Sequence, residues 1–348
     1  MQGLSLINKL LYFLNSISLF LLLGSYLSPY ISPLLFWPIS FIGLIFPILY
    51  ITNILFLIYW LIGLKKPMWA NIIILSIGIG NISNYLGTSP NNNSSKENIK
   101  VLTYNVRLFN KYNWLEETDV KEKIFNFFKT ENADILCIQE FYTPDEIPNF
   151  SYPYKHIGMH NRKSQWHMAI YSNYPQIKNE TVSIEGKQMN NTCIYSDMII
   201  KEDTIRVYNI HLASNWFNSS DYSFIQNPKK ERLREGLLGI TKRMKSSYRK
   251  RALEVAVIKE HMTTSPFPLI VCGDFNDTPL SYAYKSIKRD LIDAFSFSGK
   301  GIGNSFTKIP ALRIDYILHD ERFRSTNYQK YNQILSDHYA VSCEITTP

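Results

Sequence analysis

The sequence predicts an α+β domain of two packed, mainly antiparallel β-sheets flanked by helices, preceded by about three transmembrane helices. Three observations predict it. Residues 1 to 90 carry only three charged side chains, Lys9, Lys65 and Lys66, and no Asp or Glu at all. The rest of the chain alternates short apolar runs with amphipathic segments, the pattern of many strands and a few helices in one unit. The apolar runs also end, again and again, in an amide, a carboxylate or an imidazole.

A chain of 348 residues suggests two units. No water-soluble domain covers its surface with three charges in 90 residues, so a fully soluble protein is excluded. Disorder is excluded for the same stretch by its apolar content. Three spans are drawn, at about 10–27, 34–64 (interrupted by Pro38 and Pro47) and 68–87, the last weakened by Asn and Gly. Lys9 and the Lys65-Lys66 pair put the N-terminus and the second link on the cytoplasmic side, which sends everything after the third span across the membrane. In a bacterium this makes an inner-membrane protein with a periplasmic domain. No intramembrane carboxylate, arginine or histidine supports an ion pathway. Residues 88–98 (TSPNNNSSKEN) read as a flexible linker, and 99–348 as one domain with 34 basic and 29 acidic residues left for it, a balance that suits any polyanion.

Within that domain, Ile99 to Arg107 alternates as a half-buried strand, and residues 118–130 form a helix with Val120, Ile124, Phe127 and Phe128 on one face and Thr118 as N-cap. Strands follow at 134–139, 167–172, 192–200, 204–210, 268–273, 314–318 and 340–345, with a long basic helical region over 228–263. The four cysteines make neither a disulfide framework nor a CxxC metal site; three of them, Cys137, Cys272 and Cys343, sit in strand-like apolar runs as small hydrophobes. Asp274 and Asn276, at i and i+2 in GDFND, are expected on one side of a strand. From Lys229 to Arg251 there are ten Lys or Arg against two Glu. Such a stretch either attracts nucleic acid or anionic headgroups or is a solvated helix face. The aromatics around Asn215-Trp216-Phe217 and Asp221-Tyr222-Ser223-Phe224 read as a loop that grips a substrate, dips into a bilayer or packs.

TYNVR, ILCIQE, NIHLAS, CGDFND, RIDYIL and SDH, in this order over about residues 99–346, resemble the motifs of the endonuclease/exonuclease/phosphatase superfamily, the deoxyribonuclease I-like fold. The helices in front resemble a membrane-anchored bacterial subgroup. The resemblance implies a four-layer sandwich and a divalent-metal-dependent phosphoric ester hydrolase (nuclease, phosphodiesterase or phosphatase). The substrate classes it implies are nucleic acid, phospholipid and inositol phosphate. It implies Mg²⁺, with Mn²⁺ as the alternative, held by Glu140 with Asn105 and joined by Asp337, since a hard cation prefers a few carboxylate and amide oxygens. It implies Asp274 as the group that orients and deprotonates the attacking water, Asn276 as an amide donor to the phosphate, and His338 as the phosphate-binding imidazole with Asp315 as its carboxylate partner. His211 matches the second imidazole, beside the scissile phosphate; Asn105, Asn276 and His211 are thus also expected to touch substrate. Arg313 is the other partner Asp315 could take. One departure is the bulky Trp166-His167 pair, where the family often carries a small residue. His156, His160, His167, His261 and His319 read as structural. The alternative to an enzyme is a catalytically inactive, membrane-tethered phosphate-binding scaffold; no protein partner is indicated.

Overall fold

The computed structural model describes residues 5–88, 98–142, 148, 150–158, 166–182, 193–215, 217, 219–226, 233–309 and 311–348. Its N-terminal unit comprises α1 (Leu6–Leu27), α2 (Pro33–Phe36), α3 (Pro38–Leu44), α4 (Phe46–Ile62) and α5 (Met68–Gly78), then a 3₁₀ segment, Ile79–Asn84, and β1 (Leu86–Thr88). α1 and α4 run antiparallel. The Tyr59 hydroxyl donates to Asn8 Oδ1 at 2.7 Å near one end, and the Tyr26 and Phe46 rings meet at 6.0 Å near the other. Lys9, Lys65 and Lys66 therefore gather at the same end. Inside the bundle lies a polar knot: Trp60 Nε1 and Asn71 Nδ2 both donate to Asn15 Oδ1, at 2.9 and 2.8 Å, and Asn53 Nδ2 donates to Ser18 Oγ at 2.8 Å. Outside, α1 exposes Leu6, Leu10, Phe13, Ile17 and Phe20, and α4 exposes Ile48, Ile51, Leu55 and Ile58.

The expectation of three crossings is not confirmed. Among the described residues only Leu6–Leu27 is by itself long and apolar enough to cross a membrane. A second span exists only if α3 and α4 are taken together across a 62° bend. The two prolines start helices here rather than kink one: Pro38 opens α3, and Pro47 lies in the first turn of α4. The third expected span is an 11-residue helix that tightens to 3₁₀ at Ile79, in a Gly- and Asn-containing stretch, and its last residues enter β1. Of the expected linker, only Thr88 and Asn98 are described; 89–97 lie outside the described residues.

The remaining chain forms β2 (Ile99–Asn105), α6 (Val120–Glu131), β3 (Ile135–Tyr142), β4 (Tyr154–Gly158), β5 (Trp166–Ser172), β6 (Gln176–Thr181), β7 (Cys193–Ile200), β8 (Asp203–His211), α7 (Ser219–Gln226), α8 (Leu233–Thr263), β9 (Leu269–Asp274), α9 (Tyr282–Lys288), β10 (Ile292–Asp293), α10 (Ala294–Ser298), β11 (Lys300–Ile302), β12 (Asp315–His319), β13 (Arg324–Lys330) and β14 (Val341–Thr346). Two six-stranded sheets result, in the orders β13-β14-β2-β3-β5-β4 and β10-β12-β9-β8-β7-β6. Each contains one parallel pair, β2 with β3 and β8 with β9, and is otherwise antiparallel. The period-two alternation sends Val101, Cys137 and Ile170 of the first sheet inward against Val207, Cys272 and Ile317 of the second. On the outer faces Val120, Ile124 and Phe128 of α6 cover the first sheet, and Val255 and Ile258 of α8 with Ile287 of α9 cover the second. The order is helix, sheet, sheet, helix: the expected four layers. All four cysteines are buried and free. Thr118 is not the N-cap; Asp119 holds that position without a side-chain capping bond.

A polar bridge crosses the otherwise apolar seam. Gln139 Nε2 donates to Thr103 Oγ1 at 2.9 Å and Asn209 Oδ1 at 2.6 Å, and Asn209 Nδ2 donates to the carbonyls of Ile138 and Ala169. The N-terminal unit is built into the sandwich as well. β1 pairs with β11, Leu280 joins Leu22, Phe46, Leu49 and Leu75 in one apolar cluster, and the Phe41 and Tyr248 rings stand 5.6 Å apart. Arg313, fully buried, donates to Asn84 O at 2.8 and 3.1 Å and pairs with both oxygens of Asp293. Arg313 is thus not the partner of Asp315. Removing one member of a buried ion pair strands the other charge, so Arg313→Met is expected to lower unfolding free energy by about 3–5 kcal/mol. Chemical denaturation of the full chain in detergent, followed by circular dichroism, measures it.

Candidate functional site

Six strands bring side chains to one end of the sandwich. Asn105 closes β2, Glu140 lies in β3, His211 closes β8, Asp274 closes β9 and Asp315 opens β12. His338 lies three residues before β14. Three local features aim these groups. β3 shifts register between Ile138 and Phe141, and Glu140 at its centre takes a left-handed φ of 50°. The bulge turns its carboxylate out of the pleat, and strain of this kind clusters at functional positions. Gly273 has φ +134°, and a Cβ there would lie 1.9 Å from the carbonyl oxygen of Ile210. Only glycine lets β8 approach so closely beside Asp274. Asn276 has φ 51°, so the strand has ended and the expected i, i+2 alternation does not apply. The chain instead curls back: Asn276 N donates to Asp274 Oδ1 at 2.7 Å, and its Nδ2 donates to Asp274 Oδ2 and to Leu212 O.

The polar groups converge on Asp274 Oδ2. Asn105 Nδ2 donates to it at 3.0 Å, His338 Nε2 stands at 3.6 Å and His211 Nε2 at 3.7 Å. His338 Nδ1 meets Asp315 Oδ2 at 2.9 Å. Burial works against a charged imidazole, but the Asp315 and Asp274 carboxylates outweigh it and push His338 up to about 10. The proton-bearing Nδ1 therefore belongs to the imidazolium shared by two carboxylates. Burial raises Asp274 to about 6, against the lowering influence of His338. His211 is lowered by burial, and its Nε2 has no hydrogen-bond partner among the described residues while pointing between Glu140 and Asp274. A neutral imidazole with a free ring nitrogen is available to a ligand.

Glu140 is the carboxylate with capacity to spare. Its side chain is 26% exposed, and Oε1 takes one long bond, 3.3 Å, from Asn105. Burial and the nearby Asp337 both raise its pKa. The donor set at this corner is hard oxygen, which fits a divalent cation such as Mg²⁺. Asn105 turns its amide nitrogen to the two carboxylates and its oxygen to the Arg107 amide at 3.0 Å. Asp337 is not free for a metal: Arg107 Nη1 pairs with it at 2.8 Å. A tighter group, Asp274, Asp315 and His338, has ligand atoms within 4.8 Å of one another. There the imidazolium already occupies the place of the positive charge, so a metal would have to displace it.

Several positioning residues were not legible beforehand. Ser305 Oγ accepts from the amides of Ile314 and Asp315 at 2.9 and 3.0 Å, and Ser336 Oγ donates to Asn105 O at 2.8 Å. Arg107 stacks 4.1 Å over Trp114, walling a cleft with Thr307, Lys308 and Asp337 beside the site. Ser336 and Arg107 lie inside SDH and TYNVR, but nothing in those motifs marks either as a positioning residue, and Ser305 lies in none. His167 is buried in β5 opposite Phe141, while the side chain of Trp166 lies outside the described residues. His261 bonds the Tyr208 hydroxyl and His319 the Asp320 carbonyl, away from the site; His160 is outside the described residues. The aromatic stretch after His211 is in part the helix α7, with Trp216 and the Tyr222 side chain outside the described residues.

Residues 8–85 match a family described as a domain of unknown function (DUF8431). No curated protein matches the chain. Among solved structures, a humanized zebrafish (D. rerio) TDP2 aligns with TM-score 0.51 at 14% identity, over 72% of this chain and 100% of that one. The human Nocturnin catalytic domain with bound sulfate aligns with TM-score 0.51 at 15% identity, over 73% and 96%. A Bacteroides thetaiotaomicron mannosyl-6-phosphatase gives TM-score 0.51 at 15% identity, over 71% and 99%. These likenesses are of fold. Residues 102–338 match the Endonuclease/Exonuclease/phosphatase family, more than half of the chain and every one of the converging side chains, and the chain belongs to that family.

Proposed function

We propose that the chain is a membrane-anchored, divalent-cation-dependent phosphoesterase that hydrolyses a phosphodiester or phosphomonoester in one step. The observation that carries this reading is the convergence of Asn105, Glu140, His211, Asp274, Asp315 and His338 at one strand end of a family fold. Two structural relatives are named as a phosphatase and as a protein holding sulfate, a phosphate-like anion.

Asp274 holds and deprotonates the attacking water, its geometry fixed by Asn276 and Asn105. The water oxygen bonds to phosphorus, the P–O bond to the leaving group breaks, and the leaving oxygen takes a proton. His338, kept charged by Asp315, binds a non-bridging phosphate oxygen, and His211 donates to phosphate or leaving oxygen. Glu140 would hold the cation, with the Asn105 amide beside it; once bound, the ion would place positive charge on the phosphoryl oxygens. Mg²⁺ is the natural occupant and Mn²⁺ the alternative.

Anchoring is supported by the exposed apolar faces of α1 and α4. Orientation is supported by the gathering of Lys9, Lys65 and Lys66 at the bundle end opposite the sandwich. The reading that follows is a cytoplasmic N-terminus and a periplasmic sandwich in a bacterial inner membrane.

Three outcomes test the reading on the full chain in detergent micelles with an aryl phosphodiester. Asp274→Asn is expected to lower kcat about 10³-fold, within the range for losing a general base. A tethered scaffold instead predicts phosphate binding with no turnover in either form. Chelation should abolish turnover and Mg²⁺ restore it, and Glu140→Gln should raise the Mg²⁺ concentration required at least about tenfold. The metal-free protein should also show a pH signature in its melting temperature. His338 is raised on folding, from an ordinary value near 6.5 to about 10. Its stabilisation is therefore complete below about 6.5 and is lost as pH rises through about 10. The melting temperature of the native chain should fall across that window more steeply than that of His338→Gln; parallel curves would show that the shared imidazolium is absent.

A further inference from the structure

The contacts that join the helical unit to the sandwich cluster at the level of the strand-end site. Leu280, in the shared apolar cluster, follows Asp274 by six residues. Arg313, which grips Asn84, precedes Asp315 by two. Ser247 and Arg251 tie one turn of α8 to the carbonyls of Ser214 and Ala213, just past His211. From that same turn Tyr248 meets Phe41, and the Lys245 ammonium stands 5.3 Å over the Trp37 ring. The docked end of the bundle is the end of α1, the start of α4 and the link between them.

α8 does not stop there. From Ser247 back to Leu233 it continues about 21 Å past the site at 1.5 Å per residue. This part buries little: Leu233, Leu237 and Leu238 are 44%, 51% and 60% exposed. Arg234, Leu238, Lys242, Lys245 and Arg249 recur at three- and four-residue spacings and so share one face, the face that touches Trp37. Between Leu233 and Arg251 there are seven basic residues and one acidic residue, Glu235. α2, packed beside α8, exposes Leu35 and Phe36, and Tyr30 nearby is exposed under the Lys285 ammonium at 5.6 Å. Exposed leucines, cations and aromatic rings gathered around the α2–α8 contact have the composition of a membrane-interface surface.

We propose that the first half of α8 and the α2 region form a single surface seated on the anionic face of the bilayer that the helical unit enters. The strand-end site is thereby held open toward the lipid headgroups, and the phosphate ester it takes is carried by a lipid. This rests on the phosphoesterase reading and names its substrate class. A nucleic acid would use the same cations, but it gives no reason for the exposed leucines among them or for the helical unit docking on the segments that follow and precede the site residues.

The test uses the full chain in nanodiscs containing phosphatidylglycerol, with Mg²⁺. Its substrates are a chromogenic phosphatidyl ester in the disc, an aryl phosphodiester in solution and a single-stranded oligonucleotide. The disc-borne ester should be turned over fastest. The pair Leu237→Asp, Leu238→Asp should lower that rate tenfold or more while leaving the soluble aryl ester within twofold. A nitroxide on Leu238→Cys should relax with lipid-soluble oxygen. Cleavage of the aryl ester without the disc-borne ester, or preference for the oligonucleotide, would sink the lipid assignment and leave the phosphoesterase reading intact. A water-exposed nitroxide would sink the membrane surface. Cleavage of none of the three by the metal-loaded protein would defeat the phosphoesterase reading and this inference with it.

Discussion

Asp274 and Asp315 face each other as direct register partners across β9 and β12, each 1% exposed. Two like charges opposed on buried antiparallel strands repel at close range, and burial opposes the ionisation of Asp274. What makes the pair tolerable is the imidazolium of His338, bonded to one carboxylate and within 3.6 Å of the other. Much of the local structure serves that arrangement. Phe306 bridges to the His338 backbone and sets its ring 5.2 Å from the imidazole. Ser305 clamps the chain entering Asp315, and Ser336 clamps the chain entering His338 onto Asn105. A charge triad of this kind is costly without its third member, so the loop carrying SDH is bound to the site by electrostatics as much as by packing.

The interior of this fold was legible because its strands are buried on both faces and write themselves as apolar runs. β2, β3, β5, β7, β8, β9, β12 and β14 were each expected within two or three residues. In the two six-stranded sheets the strands that escaped are those at the four edges, β13, β4, β10 and β6; the short β1-β11 pair escaped as well. β6 (QIKNET) is almost wholly exposed and β13 (RSTNYQK) only partly buried, so neither carries a hydrophobic period to read. β10 is two residues long. The site was legible through motif endings, since strand termini concentrate the polar groups. Its geometry was not: Asn276 was expected to face a phosphate, and the structure folds it back onto Asp274 because αL at that position reverses the chain. Asp337 was expected beside a cation, and Arg107, two residues past Asn105, already holds it.

The same contrast explains the N-terminal helical unit. Hydropathy counts apolar residues; it cannot see that Pro38 and Pro47 each lie in the first turn of a new helix, or that Ile79 to Asn84 tightens into 3₁₀ and Leu86 to Thr88 then pairs as a strand. The sequence also treats a membrane anchor and a soluble domain as separable, with a polar linker between them. Arg313 shows that they are not separable here. Its guanidinium satisfies the last carbonyl of the 3₁₀ segment and the buried Asp293 at once, and Asp293 in turn caps α10 and accepts from the Tyr284 hydroxyl. Cutting the chain at residue 98 would leave that guanidinium with a missing acceptor two residues from Asp315.

A site assembled from both sheets needs more than two apolar faces pressed together, because apolar contacts specify area and not offset. Sheet one supplies Asn105 and Glu140; sheet two supplies His211, Asp274 and Asp315. The distances between these groups depend on how far one sheet has slid along the other. Gln139 sits immediately before Glu140, and Asn209 two residues before His211, and these two amides bond to each other and to the backbone of β3 and β5. Directional bonds in a low-dielectric seam are satisfied at one offset only, and a slip of one residue would leave buried amides unpaired. The polar bridge contributes less to holding the sheets together than the apolar seam does. Its place, one and two residues from Glu140 and His211, indicates that what it supplies is registration.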